Sequence, residues 1–159
     1  PARRASTKPA PHFITFRDDR MHLDSQIDDL WQEATPLLAR ILAELPHTLD
    51  EARCSVDAML LLPMAIFNTE GLITAAAIVH QGELPSGASV VYALIEPDGN
   101  WPDLSQFLAY LEDLAWQQHK DCLVLWSPSP LPPLEGWHEI AIPGQENLRG
   151  LFRSIDGGE

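Results

Sequence analysis

The chain has 159 residues, of which 10 are basic and 23 acidic, so its formal net charge is −13 with histidines neutral. This length fits one domain with a buried core, and a hydrophobic fraction of 45% is typical of a globular protein. The negative charge argues against nucleic acids and membranes as partners, because phosphate groups are bound by clustered Lys and Arg. The charge suits a basic partner, or it simply keeps the protein soluble.

The cysteine content predicts a reducing compartment. Cys54 and Cys122 are the two cysteines of the chain, too few for a disulfide framework, and both are predicted to be small buried thiols. No apolar run has the length of a transmembrane span, and the N-terminus lacks the apolar core of a signal peptide. The six histidines show no paired ligand spacing, so no metal is expected. We therefore predict a cytoplasmic protein without a membrane segment.

The N-terminal residues 1–11 differ from the rest of the chain. They are rich in Pro and Ala and carry three of the ten basic side chains. Such a segment is predicted to be a flexible basic arm, or a tether that docks on an acidic surface, including that of a second copy. Residues 12–159 are predicted to form a single domain.

The first half of this domain is predicted to contain helices and strands in alternation. An apolar stripe at helical spacing follows Ser25, and Pro36 interrupts it, so two abutting helices are expected with Thr35 capping the second. Thr48 and Glu51 form a capping box that opens another helix. Strands are predicted at 12–17, 61–67 and 72–80, the last two joined by a turn at 68–71.

A predicted βαβ unit is the most informative part of the chain. Residues 89–95 are an apolar run rich in β-branched side chains, and 96–100 are turn formers. Residues 101–120 have apolar side chains at helical spacing, and 122–126 are a second apolar run. A βαβ unit directs its turn and its helix N-terminus to one point beyond the sheet, where anions and cofactor phosphates are often bound.

After this unit the chain is rich in proline. Residues 127–136 contain four prolines, which forbid a normal helix and favour an extended path. The segment is either a rigid cover on its own domain or, through Pro130 and Pro133, a ligand for an aromatic groove. Two last strands are predicted at 138–142 and 148–155, joined by 143–147.

The order of these elements resembles that of the GCN5-related N-acetyltransferase (GNAT) superfamily, over His12 to Ile155. The nearest local likeness is Ile95–Leu104 (IEPDGNWPDL) followed by a helix and Cys122–Leu125, and Gly136–Trp137 resembles a Gly-aromatic pair of that family. The resemblance implies an α/β (α+β) fold with a mixed, mostly antiparallel sheet, a central βαβ unit and helices packed on it.

The resemblance also implies an acyl-CoA-dependent N-acyltransferase with acetyl-CoA as donor and an amine as acceptor. Such a reaction needs a base for the ammonium and an acid for the leaving thiolate. Glu96 is the candidate base, with Glu70 and His80 as alternatives. Tyr92 is the candidate acid and Tyr110 a less direct one, because the Pro-rich segment offers no tyrosine. The residues expected to hold the donor, mainly through backbone groups, are Ala93, Leu94, Ile95, Gly99, Asn100 and Leu104.

The phosphate-binding turn departs from the family pattern. Gly99 is its one glycine, Pro102 has no N–H, and no Lys or Arg lies between Asp98 and Gln118. A carboxylate about 5 Å from a phosphate charge costs roughly 3 kcal/mol at an effective dielectric of about 20. Asp103 is expected to cap the following helix, and the Trp101 indole is expected to fill part of the vacated space.

Two functions therefore stay open at this stage. The first is an N-acyltransferase whose acidic surface suits a cationic acceptor, either an amine or a basic protein. The second is a non-catalytic protein of the same fold that binds a protein partner through its acidic surface and basic arm, with association of identical copies included.

Overall fold

A computed structural model describes residues 11–18, 20–45, 47–142 and 145–155, with the side chains of 142–148 excluded. Strands and helices lie at β1 (Phe13–Arg17), β2 (Arg20–Asp24), α1 (Ile27–Ala43), α2 (Leu49–Asp57), β3 (Leu62–Phe67), β4 (Ile73–Glu83), β5 (Ser89–Pro97), α3 (Ser105–Gln117), β6 (Cys122–Trp126), β7 (His138–Ile142) and β8 (Gln145–Ser154). The strands form one sheet in the order β2-β1-β3-β4-β5-β6-β8-β7.

The predicted fold class is confirmed. Strands β1 and β3 are parallel, β5 and β6 are parallel, and the other five neighbouring pairs are antiparallel. The helix α3 connects β5 to β6, which makes the central βαβ unit. The sheet is therefore mixed and mostly antiparallel, with helices packed on it.

Both faces of the sheet are buried. Helices α1 and α2 cover one face, where alternate residues such as Phe13, Val124 and Trp126 form a core. Helix α3 covers the other face through Phe107 and Leu111. Burial on both faces explains why β5 and β6 are nearly continuous apolar runs in the sequence. An ion pair between Arg153 of β8 and Glu112 of α3, at 3.1 Å, adds a link on the α3 face.

The prediction of two abutting helices before Pro46 is wrong. One helix, α1, runs from Ile27 to Ala43 with Pro36 inside it. The Thr35 hydroxyl does not cap a second helix but donates to the Trp31 carbonyl at 2.8 Å, one turn back. Pro36 lies on the exposed side of the helix, so the carbonyl that loses its intrahelical donor faces water. Burial of eight apolar side chains against the sheet holds the helix together across the proline.

The prediction for Cys54 is also wrong, whereas that for Cys122 is confirmed. Cys122 is buried and Cys54 is exposed. Helix α2 begins at the predicted capping box and buries Ala52 and Val56 toward the sheet. Cys54 lies midway between those two positions, which places it on the opposite face of the helix.

Several boundaries differ from the sequence prediction. Strand β2 was not predicted: Met21 and Leu23 alternate with polar residues, but the pattern covers only five residues and none of them is buried. Helix α3 begins at Ser105, after residues 101–104, which are neither helix nor strand. Strand β8 begins at Gln145, three residues earlier than expected. Most of the predicted arm 1–11 and part of the connection 143–147 lie outside the described residues. No helix in the described ranges is long and apolar enough to cross a membrane.

Candidate functional site

The site begins where the two parallel strands stop pairing. Strands β5 and β6 are paired from Val90 opposite Cys122 to Leu94 opposite Trp126. Beyond that point β5 continues to Pro97, whereas β6 ends and the Pro-rich segment begins. We call the space between Ile95–Pro97 and Ser127–Pro130 the strand gap. It lies at the carboxyl ends of parallel strands and near the N-terminus of α3, which is where α/β sheets commonly bind ligands.

Glu96 is buried at this gap, with 4% of its surface exposed. Its Oε2 is 2.8 Å from Nε of Arg40, which comes from α1, and its Oε1 accepts a hydrogen bond of 3.1 Å from the Ser127 hydroxyl. Arg40 also donates to the Pro97 carbonyl at 2.9 Å. Both carboxylate oxygens of Glu96 are therefore engaged, and the bond to Ser127 crosses the strand gap.

A second hydrogen bond crosses the gap further along. The Trp101 indole Nε1 donates to the Pro130 carbonyl at 2.8 Å, which joins the loop after β5 to the Pro-rich segment after β6. The backbone N–H of Ser129 donates to the Ser127 hydroxyl at 3.0 Å and fixes the start of that segment. The space between the ends of the two strands is thus bridged twice by the chain itself.

The loop 98–104 is held by its own short contacts. The Asp98 N–H donates to the Thr74 carbonyl at 2.8 Å, and Gly99 takes a left-handed φ of +86°. The Asp103 carboxylate accepts from the Ser105 hydroxyl and N–H, and these two bonds lower the pKa of Asp103 below its ordinary value. Asp103 thus accepts hydrogen bonds from the first residue of α3, although Asp103 lies one position before the N-cap residue, Leu104.

A cavity of about 500 Å³ lies beside this loop, on the side away from β6. It brings Arg17 of β1 near Asn100 and Asp103, so the structure places a cation where the local sequence has none. Arg17 is 3.1 Å from Asp24 and its guanidinium lies 4.2 Å from the ring centre of Phe67. No local signal in the sequence relates Arg17 to the loop, because the two meet only when β1 and β3 enter the sheet.

Tyr92 and Glu96, the two predicted catalytic residues, lie on the same face of β5. They are four residues apart, which corresponds to about 13 Å along a strand. Tyr92 stacks on His80 of β4, with 4.9 Å between ring centres. The pKa of Tyr92 is raised, mainly by burial and to a lesser extent by the neighbouring Cys122. The structure therefore pairs Tyr92 with His80 and Glu96 with Arg40, in two separate clusters.

The residues predicted to hold an acyl donor are placed as follows. Ala93 and Leu94 are paired with β4 on one side and with β6 on the other. From Ile95 onward β5 is paired with β4 alone, so Ile95 is the first residue of β5 whose other side faces the strand gap. Gly99 and Asn100 are exposed in the loop, and Leu104 is buried. The remaining candidates lie elsewhere: Glu70 is exposed in the β3–β4 turn, and Tyr110 of α3 packs edge-on to Phe16 of β1.

His80 allows a test of the stacked cluster by pH. Burial lowers the pKa of His80 below its ordinary value of 6.5, so the unfolded chain binds more protons in that range. Stability contributed by the neutral ring is present above pH 6.5 and is lost as the pH falls toward the folded pKa. We expect the free energy of unfolding, measured in urea between pH 7 and 5, to decline less steeply in His80→Gln than in the wild type. His138→Gln, at an exposed histidine, should keep the wild-type slope; equal slopes for His80→Gln and wild type would contradict this account.

Groups of side chains able to hold a metal ion are not found in the described part of the chain. No protein-family model matches the chain, and comparison with curated proteins gives no match. Among solved structures, the chain is similar to a crystal structure described as an acetyltransferase of the GNAT family from Staphylococcus aureus Mu50. The TM-score is 0.47 and the identity 11%, over 80% of this chain and 94% of that one.

Proposed function

We propose that this chain is an acetyltransferase-like domain whose acyl-donor position is closed by its own side chains, and that it acts by binding a protein partner. The observation that carries the proposal is the double bridge across the strand gap, from Glu96 to Ser127 and from Trp101 to Pro130. An acyl donor of the expected kind would lie between these same segments.

The cost of opening the gap supports this proposal. A donor would have to break a hydrogen bond to a buried carboxylate, about 1.5–3 kcal/mol, and an indole bond of about 1 kcal/mol. It would also bring phosphates toward the exposed carboxylates of Asp98 and Asp103, which repel them. Two loop positions offer no N–H to compensate, because Pro102 has none and the Asp98 N–H donates to the Thr74 carbonyl. Arg17 lines the cavity on the other side of the loop and is already paired with Asp24, so it does not lie in the strand gap. A polyanionic ligand is therefore disfavoured in the gap itself.

An N-acyltransferase is the second candidate, and the place of Glu96 favours it. Glu96 is a buried carboxylate at the end of β5, where the parallel strands part. Both bridges are made by side chains that could rotate away. In that case Glu96 would accept the proton of an amine, and the acidic chain would attract a cationic acceptor. Tyr92, the predicted acid, lies about 13 Å away along β5 in the His80 cluster, so the same reaction centre would need another acid for the thiolate.

Calorimetric titration with acetyl-CoA distinguishes the two candidates. We expect no binding heat with the wild-type chain at roughly millimolar ligand, which corresponds to less than about 4 kcal/mol of binding free energy. The variant Trp101→Ala/Asp103→Gly removes one bridge and one repelling carboxylate, so it should bind more tightly than the wild type. Asp113→Asn, which removes an exposed charge on α3, is the matched control and should bind no better than the wild type.

Two results would overturn the proposal of a closed site. The first is micromolar binding of acetyl-CoA to the unmodified chain. The second is transfer of an acetyl group to an amine that is abolished by Glu96→Gln in a variant that still folds. Either result would make the N-acyltransferase the better assignment.

A further inference from the structure

We propose that two copies of this chain associate edge to edge through β2, antiparallel, with His22 of one copy opposite His22 of the other. Strand β2 is separated from β5 and the strand gap by β1, β3 and β4, so association through β2 does not depend on whether the gap is closed to an acyl donor. It rests on the exposure of β2 and on the order of its five residues.

Strand β2 is at the end of the sheet, next to β1 alone. An edge strand keeps a row of outward N–H and C=O groups, which is a template for another strand unless charge, proline, a bulge or a cover protects it. Strand β2 contains no proline, and none of the described residues pairs with its outer side. Two of its apolar side chains are also exposed, Met21 by 43% and Leu23 by 60%.

The sequence of β2, Arg-Met-His-Leu-Asp, is complementary to itself when read in reverse. In antiparallel pairing about His22, Arg20 lies opposite Asp24 of the partner subunit and Met21 lies opposite Leu23 of the partner subunit. Opposite charges and apolar pairs directly across two strands are both stabilising. A shift of the register by one residue would set charged side chains against apolar ones.

The two faces of β2 suit this arrangement. Met21 and Leu23 are paired with Phe16 and Ile14 of β1, so they extend the apolar α3 side of the sheet to its edge. On the other face the Asp24 carboxylate binds Thr15 at 2.6 Å and Arg17 at 3.1 Å, and its side chain is still 31% exposed. Arg20 of the partner subunit would join that cluster. The same patch is used by both copies, as in a closed two-fold dimer.

Sedimentation velocity of the full chain tests association. We expect a dimer at micromolar concentration, and Leu23→Lys should raise its dissociation constant at least tenfold by placing a charge against Met21 of the partner subunit. Leu72→Lys is the matched control, because Leu72 is 57% exposed in a turn away from β2. A chain that stays monomeric up to roughly 100 µM, which excludes even a weak dimer, would overturn the proposal. So would a dimer that Leu23→Lys leaves intact.

Cross-linking tests the register without relying on Leu23. In a Cys54→Ser background, His22→Cys should form a disulfide between copies under mild oxidation, because directly opposite residues have Cβ atoms about 5 Å apart. Leu72→Cys in the same background should remain a monomer on non-reducing gels. Equal cross-linking of the two variants, or none in His22→Cys, would show that β2 does not pair with itself about His22.

Discussion

Replacing Arg40 by Met lowers the free energy of unfolding by about 2–3 kcal/mol. The reason is that Glu96 is left as a buried carboxylate with Ser127 as its remaining donor. Removing one partner of a buried ion pair typically costs 3–5 kcal/mol. The lower value is expected here because the Arg40 side chain is half-exposed, so water replaces part of the lost interaction.

A double-mutant cycle tests the cause of this loss. Glu96→Gln removes the charge but keeps a polar group near Ser127, so the double variant Arg40→Met/Glu96→Gln should be more stable than Arg40→Met alone. Urea unfolding monitored by fluorescence gives all four free energies. If the two single losses add without coupling, the ion pair does not account for the effect of Arg40.

Replacing Trp126 by Ala lowers the free energy of unfolding by about 3–5 kcal/mol, the range for a large aromatic side chain removed from a packed core. Trp126 is 2% exposed and ends β6 on the face covered by α1. Its removal leaves a cavity beside Leu94, the last residue of β5 that is paired with β6. This cavity cannot close while the two strands keep their register. Urea unfolding again gives the value.

The chain contains a matched control for this measurement. Trp116 lies on α3 and is 66% exposed, so Trp116→Ala should change stability by less than about 0.5 kcal/mol. A loss for Trp126→Ala no larger than that for Trp116→Ala would mean that the end of β6 is not packed as described.

The sequence predicted the features that depend on local pattern. The βαβ unit was found because its turn formers separate a β-branched run from a helical one, and the hairpin at Asn68 because its turn residues lie between two apolar runs. Helix α1 was predicted as two helices because a proline usually interrupts a helix. The helix continues through Pro36 because its apolar side chains are buried against the sheet on both sides of the proline. Strand β2 was missed because two apolar residues among five, Met21 and Leu23, are too short a pattern to distinguish an edge strand from a loop.

The contacts at the candidate site were not accessible to sequence reasoning. Glu96 was singled out because the family resemblance implies a base near the ends of the central strands, but its partner Arg40 comes from α1, which α2, β3 and β4 separate from β5 in the sequence. Arg17 reaches the loop after β5 only through the order of strands in the sheet. Such pairs depend on tertiary packing, which periodicity and spacing do not encode.

The ion pair at the strand gap also bears on how the molecule comes apart. Strands β1–β5 and β6–β8 are two halves joined at the parallel seam between β5 and β6. Through Arg40, Glu96 and Ser127, helix α1 of the first half is fastened to the start of the second, and α3 is fastened to β8 on the other face by Glu112 and Arg153. Detaching the second half would break the Ser127–Glu96 hydrogen bond on the α1 face and the Arg153–Glu112 ion pair on the α3 face together, so we expect the seam to open cooperatively and not to bend as a hinge.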